Sequence, residues 1–70
     1  MPKLTWTDAD DIGQRLHGAH PQTDPLTVRF SELREMVVAL EGFDDDPAAS
    51  NEPILEAIQM AWLGYFRGEQ

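Results

Sequence analysis

The sequence predicts a mostly α, compact three-helix domain with at most a minimal β element. Seventy residues with 41% hydrophobic composition can furnish one small core and no second one. Three segments, about residues 8–18, 32–41 and 51–66, carry apolar side chains at helical spacing. Only one short run, "LTVRF", is β-branched and extended in character, and no partner strand accompanies it. Residues 1–70 read as a single domain, without repeats, low-complexity stretches or an internal boundary.

The first helix opens at Thr7, with Asp10 three residues on in capping-box spacing. Asp8, Asp10 and Asp11 fall in its first turn, where carboxylates complement the helix dipole. Ala9, Ile12 and Leu16 form its apolar stripe, and "HGAHPQTDP" ends it with Gly, Pro and turn residues. Ser31 reads as the cap of the second helix. Leu33, Met36, Val37 and Leu40 follow i, i+3, i+4, i+7 spacing, and Gly42 occupies the place of a C-terminal glycine.

The third helix starts at Ser50 or Asn51, with Pro53 in the first turn, where its missing N–H is tolerated. Ile54, Leu55, Ile58, Ala61, Trp62, Tyr65 and Phe66 form a broad apolar face. Glu52, Glu56, Gln59 and Leu63 are assigned to the opposite side. Trp6, Phe30, Phe43, Trp62, Tyr65 and Phe66 supply much of so small a core.

Composition excludes several functions. There is no cysteine, so thiolate zinc sites, cysteine nucleophiles and direct cluster ligation by thiolates are ruled out. No Gly-rich phosphate loop, nucleophile elbow or Ser-His-Asp set is present, and the chain is not read as an enzyme. No secretory leader is evident and no stretch approaches the roughly 20 apolar residues of a bilayer span. A cytoplasmic monomer without membrane contact is expected. The net charge of −8 disfavours nucleic acid and favours basic protein surfaces or cations.

The sharpest feature is the acidic stretch. From Glu35 to Phe66 there are seven acidic residues and no Lys or Arg. Carboxylates about 6 Å apart repel by roughly 0.7 kcal/mol in water, so Asp44-Asp45-Asp46 invites a counter-charge. The spacing is not that of a dedicated calcium loop, which alternates its ligands. "DPAAS" reads as an Asp46 N-cap followed by Pro47 in a short helical turn, which makes Asp46 structural. Asp44 and Asp45 stand as weak, oxygen-rich cation contacts, and Glu41, Glu52 and Glu56 could join the same face. Solubility alone explains the stretch about as well. His17 and His20, three apart at a fraying helix end, lack the further ligands of a zinc site and read as surface or capping residues.

A three-helix layout with a short strand also suggests helix-turn-helix or winged-helix DNA binding. The Leu40–Asn51 connection is too long for the usual turn of about three or four residues. The last helix carries Glu52 and Glu56 and no base before Arg67, so it would repel phosphates.

"LTWTDADDIG", "HPQTDPLTVRFSEL" and "LEGFDDDPAASNEPILEAIQMAWL" closely resemble the IscX (YfhJ) family of bacterial iron–sulfur cluster assembly, over Leu4 to about Leu63. The resemblance implies a modified winged-helix domain that does not bind DNA. It implies Fe²⁺ bound through surface carboxylates, docking on the cysteine desulfurase (IscS-like), and competition there with the bacterial frataxin. Carried over residue by residue, Asp44, Asp45, Asp46, Glu52 and Glu56 match the acidic motif, with Glu41 and Asp8 as outlying metal contacts. Asp44, Asp45, Glu52 and Glu56 are the partner-binding set. Two departures stand out: Pro53 where lysine is common, and "GYFRGEQ" in place of an acidic tail, leaving Glu69 as its only acid.

Overall fold

Two helices, α1 (Ala9–Ala19) and α3 (Glu52–Arg67), approach closely, and Gly13 makes this possible. A Cβ at Gly13 would lie 2.7 Å from the Trp62 backbone nitrogen and 2.9 Å from the Ala61 Cβ. With hydrogen there instead, the helix axes close up and Ile12, Leu16, Ile58 and Trp62 become fully buried between them. The computed structural model describes residues 3–68. Glu69 lies outside them.

A third helix, α2 (Phe30–Val38), completes the core with Leu33 and Val37. Met36, Leu40, Phe30 and Phe43 pack at its margin. The mostly α, three-helix architecture expected from the apolar periodicity is the one observed. Among the described residues the β element shrinks to one parallel bridge between Leu4 and Phe43.

The "LTVRF" strand is not formed. Pro25–Thr27 is a 3₁₀ turn, and Phe30 already belongs to α2. The Asp24 carboxylate accepts from the Leu26 N–H at 2.9 Å, and the Thr27 N–H and hydroxyl both donate to the Asp24 carbonyl. Local side-chain capping outcompetes the β preference of Thr27 and Val28. Gln59 then pins this turn to α3, donating through Nε2 to the Pro25 carbonyl at 3.0 Å.

Helix limits differ from the sequence expectation where capping differs. Asp8, not Thr7, occupies the N-cap of α1, yet its carboxylate does not cap; it turns back to accept from Thr5 N and Thr5 Oγ1. Helix α2 begins at Phe30, with Arg29 at the N-cap, so Ser31 lies inside the first turn. It ends at Val38 rather than 41. Gly42 is not its cap but the third residue of a turn closed by Phe43 N–H to Leu40 O, where φ is +87° and glycine is favoured. Asn51 caps α3 through Ile54 N, Pro53 sits in the first turn, and Gly68 ends the helix in the left-handed region. Leu63, assigned to the polar side, is 5% exposed and belongs to the interior, while Gln59 is half-buried. The buried arc of α3 is therefore wider than its apolar stripe.

Two glycine substitutions separate packing from conformational effects. Gly13→Ala should lower stability by about 1–3 kcal/mol, because backbone atoms of α3 must give way. Gly18→Ala, with nothing within 4 Å of the new methyl, should raise it by up to about 1 kcal/mol. Urea unfolding followed by tryptophan fluorescence measures both.

Candidate functional site

The acidic residues meet the rest of the fold through an N-terminal strap. Leu4 donates to Gly42 O at 2.9 Å, and Asp44 N–H donates to Leu4 O at 2.8 Å. That bridge lays residues 3–6 along the loop that follows α2. Trp6, 2% exposed, drives its ring into the core, edge-on to Phe43 at 4.9 Å between centroids. A buried indole N–H needs an acceptor. It finds the Asp46 carbonyl at 2.7 Å.

Each of the three consecutive aspartates has its own local task. Asp44 pairs with Lys3 at 3.1 Å in the open. Asp45 accepts twice, from Trp6 N–H at 3.0 Å on one oxygen and from Asp46 N–H at 2.7 Å on the other. Asp46 accepts from Ala48 N–H at 2.9 Å and starts the 3₁₀ turn Pro47–Ala49, as the sequence indicated. All three side chains remain exposed, Asp44 in an open ion pair and Asp45 and Asp46 as acceptors of backbone N–H groups, with lone pairs left over for solvent.

The other candidates lie apart in role. Glu41 is exposed, and its carbonyl accepts from Arg15 Nη1 at 3.3 Å, tying the loop to α1. Glu52 and Glu56 stand exposed on the first two turns of α3. Asp8 is half-buried and engaged with Thr5. Among the described residues, no three Asp, Glu, His or Cys side chains come together as a ligand set. The ring of His17 packs on Phe66 and that of His20 lies beside Trp62, with centroids 6.5 and 6.4 Å apart. The arrangement offers single carboxylate contacts to a Lys, an Arg or a hydrated cation, and no closed cage.

A family model for iron-sulphur cluster assembly matches residues 4–67, which include the strap from Leu4 on, the acidic loop and all three helices. The chain belongs to that family, the IscX (YfhJ) family. An uncharacterized protein of Pseudomonas aeruginosa is 48% identical over 60 residues, 86% of this chain and 91% of that relative. No described helix of this IscX-family chain is long and apolar enough to cross a membrane.

Sequence reasoning missed three participants: Trp6 as the loop's anchor, Lys3 as its counter-charge, and Tyr65. Tyr65 O–H donates to Asp10 Oδ2 at 3.0 Å, joining the far end of α3 to the start of α1. The hydrogen bond to Asp10, a small desolvation and the nearby charges of Asp10 and Asp11 push the phenol above 10.0. The folded state favours the neutral phenol. The contact's contribution to stability is therefore complete below pH of about 10 and is lost as the pH rises through the folded value.

Two measurements follow from this geometry. Tyr65 is the single tyrosine of the chain. Its tyrosinate absorbance should titrate above the free phenol's range, and Asp10→Asn should move it back down. In the loop, Asp46→Ala should destabilise by about 0.5–2 kcal/mol as a lost cap. Asp44→Ala should cost at most about 1 kcal/mol, because its ion pair is exposed. Chemical denaturation of the two variants side by side checks that order.

Proposed function

We propose that this IscX-family chain is a small acidic adaptor and regulator, not an enzyme, that docks on the cysteine desulfurase of the cytoplasmic assembly machinery. Fe²⁺ is held weakly, as cargo, by carboxylates of the same surface. The observation that carries the reading is membership of the iron-sulphur cluster assembly family; Asp44, Asp45 and Asp46 are all exposed, although each already has a partner of its own. Their backbone bonds hold the loop in one shape, so the charges are presented without the entropy cost of ordering them on contact. Glu52 and Glu56 add exposed negative charge on the first two turns of α3, with Arg34 lining the groove beside Glu52.

A surface of this kind associates quickly with a basic groove, and that association weakens with salt. Carboxylate oxygens also suit Fe²⁺, which accepts oxygen donors. With one or two oxygens available per ion, binding is shallow and exchangeable. Competition with the bacterial frataxin for the same desulfurase groove follows if both present acidic surfaces there.

A second reading is favoured by one specific observation: Asp45 and Asp46 already serve backbone N–H groups, which leaves little freedom to wrap an ion. On that reading the chain is a purely protein-binding acidic module without a physiological metal role. Calorimetric titration with purified desulfurase should give binding that weakens several-fold when salt is raised to about the physiological level. Absence of binding at low salt rules out the docking role. Anaerobic Fe²⁺ titration followed by NMR should broaden amides near Asp44, Glu52 and Glu56. If none responds at millimolar iron, or if docking is identical with chelator and with Fe²⁺, the purely protein-binding module is the correct reading.

A further inference from the structure

A shallow groove of about 440 Å³ lies between the C-terminal half of α2 and the 3₁₀ turn that follows the aspartates. Arg34, Glu35, Val38, Ala39, Pro47 and Ala48 line it. Val38 is 36% exposed there and, with Ala39, Pro47 and Ala48, gives the groove an apolar floor. The two sides of the groove are built differently. One is the helical face of α2. The other is the 47–49 turn, fixed because Asp46 holds Ala48 N–H while Trp6 Nε1 holds the Asp46 carbonyl. The aspartates and the apolar turn are thus parts of one rigid piece. Arg34 also lines a neighbouring groove with Ser31, Asn51 and Glu52, so the surface runs on to the start of α3.

We propose that this groove and the aspartate loop form a single docking surface for a partner segment that carries an apolar side chain flanked by Lys or Arg. The proposal rests on the docking role above and names the chemistry of what docks. The apolar side chain enters between Val38 and Ala48. The flanking bases meet Glu35 and Asp46, whose carboxylate sits on the Ala48 N–H of the groove wall, and Arg34 takes a carbonyl or carboxylate of the same segment. An apolar centre with a charged rim is the anatomy from which interfaces draw most of their affinity. A second copy of this chain is the wrong occupant, because it would bring Glu35 and three aspartates against the same residues at a net charge of −8 each. An acidic segment is repelled for the same reason.

The test uses the full chain and purified desulfurase in calorimetric titration. Val38→Glu and Ala48→Glu, both at solvent-accessible positions, should weaken binding about tenfold or more, which is about 1.4 kcal/mol. Met60→Glu, at a side chain 57% exposed on α3 and outside the groove, should change it less than about twofold. Helical circular dichroism confirms that each variant is folded, and Ala48→Glu stands alone if Val38→Glu is not. If Asp44→Lys weakens binding while both groove variants match Met60→Glu, the groove proposal is overturned and the docking role survives. If the wild-type chain does not bind at all, both fail. If sedimentation shows a dimer that Val38→Glu dissociates, the occupant is a second copy and the proposal is wrong.

Discussion

The acidic loop has a defined shape because one indole is buried beneath it. Trp6 brings its ring into the core, and its indole N–H donates to the Asp46 carbonyl at 2.7 Å. The Trp6 main-chain N–H is satisfied by Asp45 in the same way. With Phe43 packed edge-on against the ring, the strap, the loop and the core become one unit. Loss of the ring would remove a large apolar side chain, worth about 3–5 kcal/mol in a well-packed core, and would also release the indole N–H bond to the Asp46 carbonyl. In a domain whose total stability is of order a few kcal/mol, that is most of what there is.

The same arrangement answers how a short chain tolerates three aspartates in sequence. Their mutual repulsion is relieved mainly by oriented backbone N–H groups. Asp45 accepts two such bonds and Asp46 one, and charge-assisted bonds of this kind are stronger than neutral ones. Lys3 adds an exposed pair with Asp44 that contributes at most about 1 kcal/mol. The carboxylates are therefore anchors first, and their negative charge toward solvent is what remains for a partner. Preorganisation of that charge and stability of the fold come from the same bonds.

What the sequence disclosed and what it withheld divide along the range of the interactions. The apolar stripes of α1, α2 and α3 were legible because period 3.6 depends only on neighbours a turn apart, and Ile12, Leu16, Leu33, Val37 and Ile58 are buried as their spacing implies. Asp46–Pro47 was legible as a capped turn. The same Asp-Pro pattern at Asp24–Pro25 was overlooked because Thr27 and Val28 read as β-branched strand, although both Asp residues adopt nearly the same backbone angles and accept from the N–H two residues on. Gly42 was misread because a helix C-cap and the third position of a turn both favour glycine at positive φ. Leu63 was misplaced because a single apolar residue beside Glu56 and Gln59 cannot reveal how wide the buried arc is. No local pattern announces that Trp6 and Asp45, 39 residues apart, share a hydrogen bond. That contact exists only once Leu4 and Phe43 have paired.

This division constrains how the candidate residues can act. A carboxylate that already accepts two backbone N–H bonds cannot rotate to enclose an ion without stranding those donors. For Asp45 one of them is the main-chain N–H of Trp6, next to the largest apolar commitment on that side of the core. Tight chelation at the loop would thus be opposed by the fold itself, chiefly by stranding the part-buried Trp6 N–H. Contact through outward lone pairs carries no such penalty, whether the visitor is a lysine, an arginine or a hydrated ferrous ion. A surface built this way holds what it meets loosely and gives it up readily, which is what the proposed adaptor role requires.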